Sequence, residues 1–177
     1  MNSVTTAQAL RPSGVEPQDS PDGLRPRVIL GVSRTVNQMK GAIREARPED
    51  VPAIRRLMET ESGFWQRHWS DATIGKGIDS AGSLALVWED DTGIVGFACA
   101  HDLGFRAYLS ELIVAERGRG RGIGKCLVER IQAELARRGC RVVIADVWRD
   151  AEPFYRSLGW EPPDVVLLRR KLGGEAG

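Results

Sequence analysis

The sequence predicts a mixed α/β fold in a single domain. Segments in which apolar residues alternate are interleaved with segments of helical spacing. The clearest helix, with Ile123, Leu127, Ile131 and Leu135 recurring every four residues, lies between two strand-like runs. A length of 177 residues with 42% hydrophobic and 28% charged side chains suits one packed core with a charged surface.

The elements follow in order. Residues 1–40 contain Pro12, Pro17, Pro21 and Pro26 and no aromatic residue. Such a stretch buries too little apolar surface to offset the entropy of ordering, so it is read as a disordered tail and 41–177 as the domain. Met39 is a candidate true start, since the folded pattern begins just after it. Residues 42–46 form a short strand. Pro48 suits a first helical position, with Glu49 and Asp50 complementing the helix dipole. Val51, Ile54, Leu57 and Met58 then give that helix one apolar face. Residues 64–78, aromatic at their start, read as a second helix.

Leu84, Leu86 and Trp88 alternate as a strand, residues 89–93 turn, and Val95, Phe97 and Cys99 return, making a hairpin. Residues 108–114 form a further strand. The helix from Ile123 ends at Gly139. Val142, Val143 and Ile144 are continuously apolar, so residues 141–147 read as a buried strand. Asp150 is placed to cap a short helix with Phe154 and Leu158 on one face, stopped by Gly159. Residues 165–168 supply a last strand. There is no internal repeat.

Several function classes are disfavoured. A net charge of +1 argues against a dedicated nucleic-acid binder. No run approaches the ~20 apolar residues of a membrane span, and the N-terminus lacks the apolar stretch of a secretory signal. Cys99, Cys126 and Cys140 form an odd set without paired spacing, and His68 and His101 are the only histidines. A disulfide framework and a metal site are therefore not expected, and a reducing cytoplasm is.

The most informative stretch runs from Val114 to Lys125. Glycines at 118, 120, 122 and 124 allow close backbone approach, and arginines at 117, 119 and 121 add forked cationic groups. The stretch leads directly into a helix, whose first turn presents unpaired N–H groups to an anion. The spacing of a P-loop fails, because Arg119 stands at the first glycine and Cys126 at the Ser/Thr position. The dinucleotide fingerprint fails too, since its third glycine falls on Ile123 or Lys125. An arginine-glycine RNA-binding tract is the remaining alternative, although such tracts are long and do not open an amphipathic helix.

Arg119, Gly120, Arg121, Gly122, Ile123 and Gly124 resemble, position for position, the coenzyme A-binding signature Gln/Arg-x-x-Gly-x-Gly/Ala of the GCN5-related N-acetyltransferase superfamily. The order of elements over residues 42–172 is similar as well. Glu116 and Gly118 depart from the family pattern, which often has Pro and an aromatic residue there. The resemblance implies a central, twisted, mostly antiparallel sheet, splayed at the cofactor site and flanked by helices. It further implies acetyl-CoA as co-substrate and no metal. The backbone of 119–125, including Lys125, would then hold the pyrophosphate. Leu112, Ile113 and Val114 would lie along the pantetheine arm.

Acetyl transfer to an amine needs a neutral amine, a stabilised oxyanion and a proton for the departing thiolate. The run Phe154-Tyr155-Arg156-Ser157-Leu158-Gly159-Trp160 resembles a second family motif, which implies that Tyr155 is the general acid; packing beside Phe154 is the alternative. An Asn common just before this helix in the family is replaced by the run Trp148-Arg149-Asp150-Ala151. Glu111 sits in an apolar strand, where a carboxylate is costly unless solvated or paired. It is the first candidate for general base, or else an edge carboxylate paired with an arginine, and Asp146 is a weaker candidate of the same kind. Phe64, Trp65, His68 and Trp69 form either an acceptor pocket or helix packing. Cys126, at a helix start, is not placed as an acetyl-carrying nucleophile.

The expected function is therefore acetyl-CoA-dependent N-acetylation of a primary amine by direct attack in a ternary complex. A non-catalytic acyl-CoA-binding sensor or interaction module of the same fold is the alternative. The acceptor is a small-molecule or peptide amine, with neither nucleic acid nor membrane as partner and a homodimer left open.

Overall fold

The computed structural model describes residues 40–168 and residue 170. The segment read as a tail lies outside the described residues except for Lys40. Five strands make one sheet in the order β1 (Ala42–Glu45), β2 (Ala85–Asp90), β3 (Gly93–Asp102), β4 (Ala107–Val114) and β5 (Val143–Ile144). The first four pair antiparallel and β5 is parallel to β4, so the sheet is mixed. Helices α1 (Val51–Glu59) and α2 (Asp71–Ala81) pack on one face, and α3 (Ile123–Arg137) packs on the other. A short α4 (Glu152–Ser157) follows β5.

The hairpin of β2 and β3 forms as the alternation predicts, with Trp88 and Phe97 fully buried. Along α3, Ile123, Leu127, Ile131 and Leu135 are each 1% exposed or less. Burying each contributes about 1.5–3 kcal/mol, which seats the helix firmly on the sheet. Its close approach requires Gly96, because a Cβ there would lie 3.0 Å from Ile123 Cγ2 and 3.1 Å from Leu127 Cδ1. On the other face, the first turn of α1 is tied to β1. Arg44 forks onto Asp50 at 2.6 and 2.8 Å, and Asp50 accepts the Arg47 N–H at 2.8 Å. This satisfies a carboxylate that is only 7% exposed.

Four sequence expectations are corrected. Helix α2 begins at Asp71, after turns over the aromatic stretch, because Ser70 and Thr73 close a capping box there. The apolar run 142–144 yields only a two-residue strand, with Val142 52% exposed, since β5 meets β4 at just two positions. Asp150 does not cap α4, whose N-cap is Ala151 without a side-chain bond. Residues 165–168 form no strand and are exposed, having no neighbouring strand to pair with.

Candidate functional site

The site is organised by β4. Cys99 pairs with Glu111 and Ala100 pairs with Leu109, so Ser110 is an extra residue on β4, a β-bulge. The bulge inverts the side to which the strand directs its backbone groups. Before it, Ala107 donates its N–H to Val142 of the β5 side; after it, Ala115 donates to Val95 of β3. By the alternation of antiparallel pairing, the N–H and C=O groups of Leu112 and Val114 point away from β3. Strand β5 has already parted from β4 there, since its pairing stops at Tyr108 and Ile144.

The parted strands open a cleft of about 650 Å³. Its walls include Leu112 and Val114 of β4, Asp146 and Trp148 beyond β5, and Phe154 and Tyr155 of α4. Its floor is the glycine-arginine loop and the start of α3. Gly120 and Gly122 hold φ of +71° and +81°, and Gly122 is the N-cap of α3. Among the described residues, the backbone N–H groups of 120–125 donate to no protein acceptor, while Cys126 N–H returns to Gly122 O. Six consecutive amides thus stand free at the positive end of a 15-residue helix. Gly118 is buried, and a Cβ there would lie 2.5 Å from Val95 Cγ1, so the loop can pass under the cleft only with glycine. The residues present fit a pyrophosphate with a long apolar arm.

Arg119 is folded over the mouth, its Nε donating to Val114 O at 3.2 Å and its Nη2 paired with Glu61. Lys125 is exposed and 3.8 Å from Glu129. Tyr155 is buried within the cleft wall, edge-on to Phe154 and Trp160. Burial first, and the negative charges of Asp146 and Glu111 second, push its pKa up to about 12. Asp146 accepts a hydrogen bond from Tyr108, whose own pKa is raised by burial and by that bond. The thiol of Cys126 is raised by burial, which does not favour a nucleophilic thiolate.

Glu111 lies on the opposite face. It lines a second, smaller cavity between β3, β4 and the first two helices, with Ser110 in the walls of both spaces. Burial, and then the charge of Asp146, push its pKa up to about 7. It makes no ion pair with an arginine among the described residues. The aromatic group divides. Phe64 joins the cleft and meets Trp148 edge-on, Trp69 lines the smaller cavity, Trp65 lies under Arg55, and His68 is exposed. Glu61, which also lines the cleft, carries no motif that marks it in the sequence. Among the described residues, no cluster of three or more His, Cys, Asp or Glu could hold a metal, and no helix is long and apolar enough to cross a membrane.

The profile of the acetyltransferase (GNAT) family matches residues 51–160, which contain the cleft, the loop and α4. The fold is similar to that of the aminoglycoside N-acetyltransferase AAC(6')-Iy, solved with a bisubstrate analogue containing CoA. The match has 22% identity and a TM-score of 0.62, covering 76% of this chain and 100% of that one. It is similar to an acetyltransferase of Trypanosoma brucei at 23% identity and a TM-score of 0.59, covering 75% and 100%. The glucosamine-6-phosphate N-acetyltransferase of Arabidopsis thaliana matches at 18% identity and 0.59, covering 75% and 99%.

Proposed function

We propose, from the premise that this chain belongs to the acetyltransferase (GNAT) family, that it acetylates a primary amine with acetyl-CoA, both substrates bound at once against β4. The observation that carries the reading is the row of free amides at 120–125 on the floor of the large cleft. That two proteins of similar fold are named as N-acetyltransferases, one of them solved with CoA, supports it. Three free cysteines are in keeping with a reducing cytoplasm.

Bound acetyl-CoA supplies an acyl group activated as a thioester. The amides of 120–125, with the guanidinium of Arg119 and the side chains of Arg121 and Lys125, hold the diphosphate through charge-assisted bonds. Leu112, Ile113 and Val114 lie along the pantetheine arm, and the outward N–H of Leu112 or Val114 bonds its amide or polarises the acyl oxygen. Glu111, poised near neutrality, draws in the amine and takes its proton. Tyr155 keeps its phenolic proton throughout the physiological range and delivers it toward the sulfur, positioned by Phe154 and Trp160.

The test is calorimetry of the full chain with CoA and acetyl-CoA, followed by thiol release with added amines. One-to-one binding and amine-dependent thiol release are expected. Binding without release on any amine would leave a CoA-binding module, and no heat with either thioester or thiol would remove the reading altogether.

A further inference from the structure

The smaller cavity has about 220 Å³, and its chemistry is unlike that of the cleft. Its walls are Met58 of α1, Ile74 of α2, Phe97 of β3 and the ring of Trp69. Glu111 is the one carboxylate among its lining residues, and no lysine or arginine lines it. The other polar groups are already engaged. His101 is bonded through Nδ1 to Ser80 at 3.1 Å and through Nε2 to Ser110 at 3.2 Å, and burial lowers its pKa, keeping it neutral. The Ser110 hydroxyl donates to Cys99 O at 3.1 Å. The Cys99 thiol, pushed up to about 11 by burial, stays protonated.

A ligand entering this space thus meets one acidic group, the exposed hydroxyl of Thr73 at the rim, and otherwise hydrocarbon and aromatic surface. A phosphorylated or carboxylated acceptor would find no cation. A polycation would leave all but one of its charges unpaired against apolar walls, at heavy desolvation cost. A dry cavity of about 150 Å³ takes a benzene ring, so this one has room for a ring and a short amine-bearing chain. Because Ser110 lines both spaces, an amine seated here on Glu111 is one bulge residue away from the cleft in which the acyl group would lie.

We propose that this cavity is the acceptor site and that the acceptor is a compact monoamine with an apolar or aromatic body, its ammonium on Glu111 and its body among Met58, Ile74, Phe97 and Trp69. The inference rests on the reading of the chain as an acetyl-CoA-dependent N-acetyltransferase.

Gly77 offers a way to fill the cavity without harming the fold. It lies on α2 at the cavity wall, has ordinary helical φ, and a Cβ there meets nothing within 4 Å. Leucine also has the higher helix propensity, so Gly77→Leu should fold at least as well. The experiment first confirms CoA binding by calorimetry. It then compares kcat/KM for 2-phenylethylamine, spermidine, glucosamine 6-phosphate, an aminoglycoside and an alanine-initiated peptide. At least a tenfold preference for 2-phenylethylamine is expected. Gly77→Leu should raise its KM at least tenfold, with CoA affinity and melting temperature not reduced. CoA binding combined with a preference for a polycation, the sugar phosphate or the peptide, or with an unchanged KM in Gly77→Leu, overturns this proposal alone; CoA binding with no turnover of any amine overturns the N-acetyltransferase reading with it. Absence of CoA binding overturns the underlying reading as well, and so separates the two failures.

Discussion

The two hollows flanking β4 are built on opposite plans. The floor and one edge of the cleft are made of backbone: free amides, glycines in the left-handed region and the open edge of a strand. The smaller cavity is made of side chains from elements far apart in sequence, Met58, Ile74, Phe97 and Glu111. A hollow of main-chain donors suits a group common to every reaction of its kind: every residue supplies the same amide, and what must be kept is the backbone path that its glycines allow. A hollow of side chains can be rebuilt by single substitutions. On the proposed reading, the donor would be fixed by the fold and the acceptor by the packing.

Substitutions sharpen this contrast. Tyr155→Phe should have the largest effect, lowering kcat ~10²–10⁴-fold while leaving CoA affinity unchanged, as steady-state kinetics beside calorimetry would read. Gly122→Val strains a residue at φ +81° and projects a branched side chain over the amides. Losing two charge-assisted bonds at about 1.5 kcal/mol each would weaken CoA binding about 100-fold, with little change in how amines are ranked.

Glu111→Gln tests the other side. Since burial raises the Glu111 pKa from the usual 4.5 to about 7, the native state holds more protons than the unfolded one between those values. Its stability therefore falls as pH rises through that window. The Gln variant should lose this fall and be more stable than the parent at pH 8 by on the order of 1–3 kcal/mol, with no such gain at pH 4. In urea titrations this appears as a pH-dependent difference in midpoint. The same variant should lose the rise of kcat/KM around pH 7 that ionisation of Glu111 produces. The smallest effect is expected at Arg119, an exposed guanidinium already shared with Glu61 and Val114 O. Arg119→Ala should weaken CoA binding by no more than about fivefold.

The same contrast governs what the sequence discloses. The glycine-arginine loop is legible because its glycines are required at fixed spacing by backbone geometry, and α3 is legible because its four-residue period meets the sheet. The bulge at Ser110 is not, since nothing in Leu109-Ser110-Glu111-Leu112 distinguishes an extra residue from a continuous strand; yet it decides that Glu111 faces α1 and α2 while Leu112 edges the cleft. Strand β5 misleads for a related reason. A continuous apolar run implies burial on both faces, whereas the sheet parts there and leaves Val142 exposed. Phe64 and Trp69, five residues apart and alike in composition, go to different hollows because turns rather than a helix carry them. Pairing and turn geometry are long-range outcomes, and a local pattern does not encode them.

The central claim is that the amides of 120–125 grip the diphosphate of CoA. Titrating CoA into ¹⁵N-labelled protein reads those amides directly by NMR. Saturable shifts at Gly120, Gly122 and Gly124, with Gly159 beyond α4 serving as an in-molecule comparison that moves far less, are the predicted result. Saturation that moves other residues and leaves those three glycines in place would contradict it.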